Sequence, residues 1–229
     1  MKFGVVIFPG SNCDHDMIYA FQNIMEQEVV PLWHKERSVQ NVDGVLLPGG
    51  FSYGDYLRSG ALARFSPIMS EIIDFANDGG FVFGVCNGFQ ILCESGLLPG
   101  TLLHNNSQKF ICKNTYIIPD AKNTHLTQFL DSAPLKIPVA HGEGRYYASA
   151  DTLAEIRRNG QILFRYSDEN GTVSQEINPN GSVENIAGVC NLQRNVYGMM
   201  PHPERAVDED LGNTDGVRIF ASIIKMMTK

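Results

Sequence analysis

The sequence predicts an α/β fold: a mostly parallel central sheet with helices on both faces and extra β-hairpin strands in the second half. Three observations carry this. Short apolar runs alternate with helical patterns through the first hundred residues. These runs are continuously apolar rather than alternating, as strands buried on both faces must be. The second half instead shows closely spaced strand patterns separated by turn clusters, which suit antiparallel pairing.

In chain order, residues 2–8 form the first strand, and a helical pattern runs from about 14 to 27. The opening residues resemble a short signal segment. They read better as a buried strand, because Pro9-Gly10-Ser11-Asn12 is a strand-to-helix loop and no small-residue cleavage site follows. Residues 29–34 and 44–48 are the second and third strands, and the latter ends in Pro48-Gly49-Gly50. A helix over 67–77 precedes a strand over 81–85, and the next helix ends near Gly96. Strands are then expected at 110–118, 136–140, 161–166, 186–192 and 196–200, with helices at 152–159 and 215–227. The clusters Asp168-Glu169-Asn170-Gly171 and Asn178-Pro179-Asn180-Gly181 suit hairpin loops. No linker or repeat divides the 229 residues, so a single domain over 1–229 is expected.

Composition excludes several classes. A net charge of -7 argues against a general phosphate-backbone binder. No apolar stretch reaches the roughly 18 residues of a membrane span. The five cysteines are odd in number and form no CxxC pair, which points away from a zinc site or disulfide framework and toward a reducing, cytoplasmic setting. There is neither a P-loop nor a Rossmann glycine motif. The acidic stretch Asn12-Cys13-Asp14-His15-Asp16 is explained by the preference of carboxylates for a helix N-terminus rather than by a metal.

The chemistry-bearing stretch is Phe81 to Leu92. An apolar strand stops at Gly84-Val85-Cys86-Asn87-Gly88 and a helix follows. This is a nucleophile-elbow pattern with Cys in place of Ser, and a helix N-terminus favours the reactive thiolate. Cys13 is a second cysteine on a strand-end turn, without the flanking glycines. A nucleophile needs a base and an orienting group. Two histidines have a glutamate two residues on, in His141-Gly142-Glu143 and His202-Pro203-Glu204. In an extended segment such pairs share a side. The prolines flanking His202 stiffen its segment and favour it, but the pattern alone does not exclude His141. Acyl transfer also needs oxyanion donors. The N–H of Asn87 is one, and the Gly49-Gly50-Phe51 loop offers a second from Gly50 or Phe51.

These residues resemble those of the class I, or triad-type, glutamine amidotransferases. Gly84-Val85-Cys86-Asn87-Gly88-Phe89-Gln90 is similar to the family's G-x-C-x-G-x-Q turn, and His202-Pro203-Glu204 to its H-P-E segment. Within the class, Pro9 to Asp14, Gly49 to Arg58 and His141 to Arg145 resemble the glutaminase subunits of phosphoribosylformylglycinamidine synthases. Ser59, where that likeness leads one to expect Ala, is a departure.

The resemblance implies a flavodoxin-like glutaminase fold. It implies Cys86 as nucleophile, His202 as base and Glu204 as orienting acid, with Gln90, His141 and Gly142 near the substrate. It further implies no cofactor in this chain. ATP and magnesium are expected at a large synthetase subunit that receives the ammonia, in company with a small accessory subunit. Met1 leads straight into the first strand, so the free-standing form is expected. The remaining readings are a class I glutaminase serving a GMP, CTP, anthranilate or imidazole glycerol phosphate synthetase, and a cysteine peptidase-like α/β protein.

Overall fold

The computed structural model describes residues 1–228. Nine strands form one sheet in the order β2-β1-β3-β4-β11-β10-β9-β6-β7. The strands β1 (Lys2–Ile7), β2 (Glu28–Trp33), β3 (Gly44–Leu47), β4 (Phe81–Val85) and β11 (Val196–Met199) pair in parallel. The strands β10 (Ile186–Cys190), β9 (Ile162–Ser167), β6 (Ile111–Pro119) and β7 (Leu135–His141) extend the sheet in antiparallel fashion from β11. A separate antiparallel pair, β5 (Thr101–Leu103) with β8 (Arg145–Tyr147), was not visible as a sequence pattern because each strand has only three residues.

Every residue of β3, β4, β10 and β11 is buried. Their apolar runs therefore reflect covering on both sides. Phe3, Gly44 and Phe81 share one row across the sheet, and Phe3 meets Phe21 at 4.7 Å, which in turn meets Phe220 at 4.9 Å. That face carries α1 (Asp14–Tyr19), with the π-helical turn that prolongs it, and α5 (Asp215–Met227). The opposite face carries α3 (Asn87–Glu94), against which Gly84 packs, and the remaining α-helices are α2 (Pro67–Asn77) and α4 (Ala150–Arg158). Outer strand β7 instead alternates, burying Leu135, Ile137, Val139 and His141 and leaving the residues between them partly exposed. This period of two turns His141 inward.

The two turn clusters fall in a single long connection between β9 and β10, so they do not close tight hairpins. The first is an Asp-centred turn in which the Asn170 and Thr172 N–H groups donate to the Asp168 carboxylate at 2.9 and 2.7 Å. Among the described residues, no helix is long and apolar enough to cross a membrane.

Candidate active site

The parallel strands deliver the site at their carboxyl ends, where open α/β sheets bind ligands. Strand β4 runs into Cys86, whose backbone sits at φ 50°, ψ −103°. A non-glycine residue at positive φ costs about 1–3 kcal/mol and persists only where surroundings enforce it. Here the Cys86 N–H donates to the Met199 carbonyl at 2.8 Å and the Cys86 carbonyl accepts from the Gln90 N–H at 3.1 Å. The flanking glycines allow the tight approach. A Cβ on Gly84 would come within 2.6 Å of the Gly88 backbone, and one on Gly88 would overlap the Leu47 carbonyl.

Strand β11 ends one chain-width away and leads into His202 and Glu204. The His202 N–H donates to the Pro138 carbonyl at 2.8 Å, which pins the segment to β7. Glu204 lies in a single 3-10 turn, Pro203–Arg205, so the pair meets through a turn and not through the extended geometry expected from its spacing. Glu204 Oε1 accepts from His202 Nδ1 at 2.6 Å, and both side chains are almost wholly buried. Burial alone would push the imidazole pKa down. The Glu204 carboxylate, aided by the neighbouring Cys86 and Cys13 thiols, outweighs it and holds the ring well above its ordinary value. His202 Nε2, the nitrogen left for chemistry, is buried without a protein hydrogen bond.

Gly49 is where these groups converge. A Cβ there would lie 2.7 Å from His202 Cε1, 3.2 Å from Cys13 Sγ and 3.4 Å from Cys86 Cβ. His202, Cys13 and Cys86 thus surround one glycine. In front of Cys86 opens a cavity of about 130 Å³, lined in part by Gly50, Phe51, Gln90, His141 and Gly142.

Residues 1–216 match the CobB/CobQ-like glutamine amidotransferase domain. The chain belongs to this family. It is 57% identical over 224 residues to the phosphoribosylformylglycinamidine synthase subunit PurQ of Salinibacter ruber, covering 97% of this chain and 95% of that protein. It is 53% identical to the PurQ subunit of Koribacter versatilis over the full length of both. Among solved structures, the chain in PurLQS from Thermotoga maritima superposes with a TM-score of 0.87 at 41% identity, covering 99% of this chain and 98% of that one. A glutamine amidotransferase from the same organism, 14% identical with a TM-score of 0.62, shares the fold.

Of the nine site residues expected from the amidotransferase motifs, Gly50, Phe51, Cys86, Gln90, His141 and Gly142 line this cavity and Asn87, His202 and Glu204 do not, and not all are free to act as expected. The Phe51 N–H donates to the Gly10 carbonyl at 3.1 Å. It is therefore engaged, and Gly50, at φ 132°, is the donor this loop has to offer. Asn87 opens α3, and its side chain accepts from the Ser52 N–H at 3.2 Å and donates to Gln90 Oε1 at 2.9 Å. Gln90 Nε2 donates to the Glu143 carbonyl at 2.7 Å, so Gln90 ties α3 to the loop after β7. Asn105, which motif reading missed, fixes His141. Its Nδ2 donates to the His141 and Lys109 carbonyls, both at 2.9 Å, so its Oδ1 accepts from the Gly144 N–H and from His141 Nδ1, both at 3.1 Å. His141 Nδ1 thereby carries the proton, and Nε2 is a buried acceptor with no partner. Burial, together with nearby His202, lowers the His141 pKa to about 4, so this ring is neutral at physiological pH.

Cys13 is buried, and burial raises its thiol pKa despite the imidazole and guanidinium beside it. Arg205 Nη2 lies 3.0 Å from its sulfur and Arg205 Nε 3.0 Å from Asp16. Cys13 packs behind His202 rather than facing the cavity that Cys86 lines.

Proposed function

We propose that this chain is the glutaminase subunit of a phosphoribosylformylglycinamidine synthase. It hydrolyses L-glutamine to glutamate and ammonia, and a synthetase subunit uses the ammonia with ATP to form formylglycinamidine ribonucleotide. The observation that carries the chemistry is the convergence of Cys86, at its strained elbow, with the buried His202–Glu204 pair around Gly49. Identity above 50% to PurQ subunits over nearly the whole chain supports the pathway assignment.

The Cys86 thiolate attacks the carboxamide carbon of glutamine. The N–H groups of Gly50 and Asn87 stabilise the oxyanion, a contribution of about 10²–10³ in rate per donor in comparable sites. His202 Nε2 gives its proton to the departing nitrogen, which leaves as ammonia, and the γ-glutamyl thioester remains on Cys86. His202, now neutral, takes a proton from water, the hydroxide opens the thioester, and glutamate leaves. Glu204 stabilises the imidazolium in both half-reactions and holds its tautomer. His141, Gly142 and Gln90 wall the cavity beside the substrate, and the neutral His141 Nε2 offers an acceptor that does not compete for the catalytic proton.

This chain has no cofactor role in the reading; ATP and magnesium belong to the synthetase, which acts with a small accessory subunit. Phe51 and Phe110 line the cavity and are 45% and 54% exposed, and Tyr56 and Leu57, in the loop that carries cavity residue Asp55, are 74% and 89% exposed. This apolar rim is suited to covering by the synthetase. Five free thiols suit a cytoplasmic enzyme.

The test is reconstitution with the synthetase and accessory subunits. With Cys86→Ala, glutamine-dependent product formation is expected to vanish while synthesis from added ammonium persists. Continued use of glutamine by that variant would remove Cys86 from the mechanism.

A further inference from the structure

Cys13 stands beside the base and takes no step in the hydrolysis. Its sulfur, an imidazole nitrogen of His202 and a carboxylate oxygen of Glu204 lie within 4.8 Å of one another, and all three residues are buried. One tetrahedral cation, with ligand bonds of about 2.0–2.3 Å, spans thiol, imidazole and carboxylate at such separations. Cys13 comes from the turn before α1, and His202 and Glu204 come from the segment after β11. The donors are far apart in the chain, so no ligand spacing in the sequence announces them. Their polar capacity is not used up. Glu204 Oε2 and His202 Nε2 are buried without a hydrogen bond, on residues each 1% exposed. The Cys13 thiol donates only a long hydrogen bond, to Asn12 Oδ1 at 3.4 Å.

A second cavity leads to this group. It has a volume of about 550 Å³ and is lined in part by Asp16, Tyr19, Glu204, Arg205, Asp208 and Asp210. Among the described residues it shares no lining residue with the cavity in front of Cys86, and its carboxylates outnumber its guanidinium. Such a cleft draws in cations. Arg205 Nη2, 3.0 Å from Cys13 Sγ, opposes a cation at the sulfur. It has room to yield. Arg205 Nε donates to Asp16 Oδ2 at 3.0 Å, and these two side chains are 35% and 42% exposed, so the guanidinium can turn from the sulfur and keep its partner. A guanidinium beside a thiol also favours the thiolate, which is the metal-binding form. Coordination of a divalent cation leaves the local charge unchanged. The metal replaces the thiol proton of Cys13 and the Nδ1 proton of the His202 imidazolium, and both protons leave to solvent.

We propose that Cys13, His202 and Glu204 form a site for Zn²⁺ or a similar thiophilic divalent cation, reached through the second cavity, and that its occupancy halts glutamine hydrolysis. Glu204 Oε1 faces His202 Nδ1 at 2.6 Å, so a cation shared by the two takes the place of the proton between them. Glu204 Oε2 offers it a further oxygen. The base then gives up its counter-charge to the metal and no longer cycles a proton with Cys86. Thiolate and imidazole select Zn²⁺ over Mg²⁺, which takes oxygen ligands, so the magnesium of a synthetase does not compete. The metal site stands on this chain's own donors, and the inhibition rests on the glutaminase reading above.

Binding is measured on the full chain, by competition with a chromophoric chelator for Zn²⁺ and by the thiolate-to-metal charge-transfer band of Co²⁺. Wild type and Cys86→Ala are each expected to take one tight equivalent and to show the band. Cys13→Ser and, as a second replacement, Cys13→Ala are expected to lose the band and about 10²-fold or more in affinity, since even a group that only supports a ligand is worth about 10–100-fold. No tight equivalent in wild type overturns the proposal. So does its loss in Cys86→Ala, which makes the catalytic thiol the ligand, and so does its retention in the Cys13 variants. In the reconstituted complex, Zn²⁺ is expected to suppress glutamine-dependent product formation and to spare synthesis from added ammonium. The Cys13→Ser complex should need about 10²-fold more Zn²⁺ for the same suppression. Equal loss of both activities, or equal sensitivity of both complexes, overturns the inhibitory role. A complex that never uses glutamine sinks the glutaminase reading instead and leaves the binding results to judge the metal site.

Discussion

His141 and His202 have the same local sequence, a histidine two residues before a glutamate at the end of a strand, and the structure gives them opposite chemistry. Both are buried, and both have an unpartnered Nε2. At His202 the chain turns tightly, and Glu204 comes back to Nδ1 at 2.6 Å. At His141 the loop runs on, Glu143 reaches Ser59 and His104 instead, and Nδ1 meets the neutral amide of Asn105. One ring is held above its ordinary pKa by a carboxylate, the other pushed to about 4 by burial and by the first ring. A buried imidazole is a base or a neutral acceptor according to whether a charged partner faces its second nitrogen. Spacing in the chain does not decide that; the backbone after the histidine does.

The most severe way to break this contrast is Glu204→Gln. The ring loses its counter-charge and its enforced tautomer, so kcat for glutamine hydrolysis is expected to fall by about 10³-fold or more, with binding little changed. A loss under tenfold would mean that His202 works without its partner. Next in size is Gly49→Ala. The new methyl lies 2.7 Å from His202 Cε1 and must push that ring away from Cys86. Misplacement by about 1 Å costs about 10²-fold, read in kcat at saturating glutamine. His141→Ala is milder. It removes one neutral hydrogen bond, and KM is expected to rise by about tenfold or less. Because the ring is already neutral above about pH 4, the pH profile between 6 and 8 should keep its shape. A shifted profile would show that His141 shares the proton traffic and would collapse the distinction between the two histidines.

Much of this is legible in the sequence. The parallel half of the sheet was read from apolar runs, of which β3, β4 and β11 prove wholly buried while the edge strand β2 buries only Leu32, and Cys86 was read from its flanking glycines. His202 was favoured by its two prolines and chosen through the H-P-E resemblance, and the Glu204 contact distinguishes its surroundings from those of His141. The alternation of β7 is also readable in the sequence and carries His141 inward. Three features were out of reach for physical reasons. The engagement of the Phe51 N–H depends on the distant Gly10 carbonyl, and nothing local encodes it. Asn105 reaches His141 from 36 residues away, through a loop without a motif. Asp55 looked like one more polar loop residue, because its inward turn comes with left-handed backbone at Tyr53 and Leu57, residues that seldom adopt it.

The smallest effect concerns Asp55 against Glu204, a carboxylate without a cation against one that has it. The Asp55 carboxyl sits at about 6 in the folded chain, above its ordinary 3.8. Below the ordinary value both folded and unfolded forms are protonated and nothing is lost. As pH rises from about 4 through about 6 the unfolded chain gives up its proton more readily, so Asp55 costs stability, and the cost is complete above about 6. Asp55→Asn should therefore stabilise the free chain at pH 7.5, by about 1 kcal/mol after allowance for solvent screening, or about 2–4 °C in melting temperature. The gain should shrink to nothing near pH 4. A variant that melts lower at pH 7.5 would mean that the hydrogen bonds from Asn87 and Ser59 already satisfy the carboxylate, and that Asp55 is a structural group like Asn105.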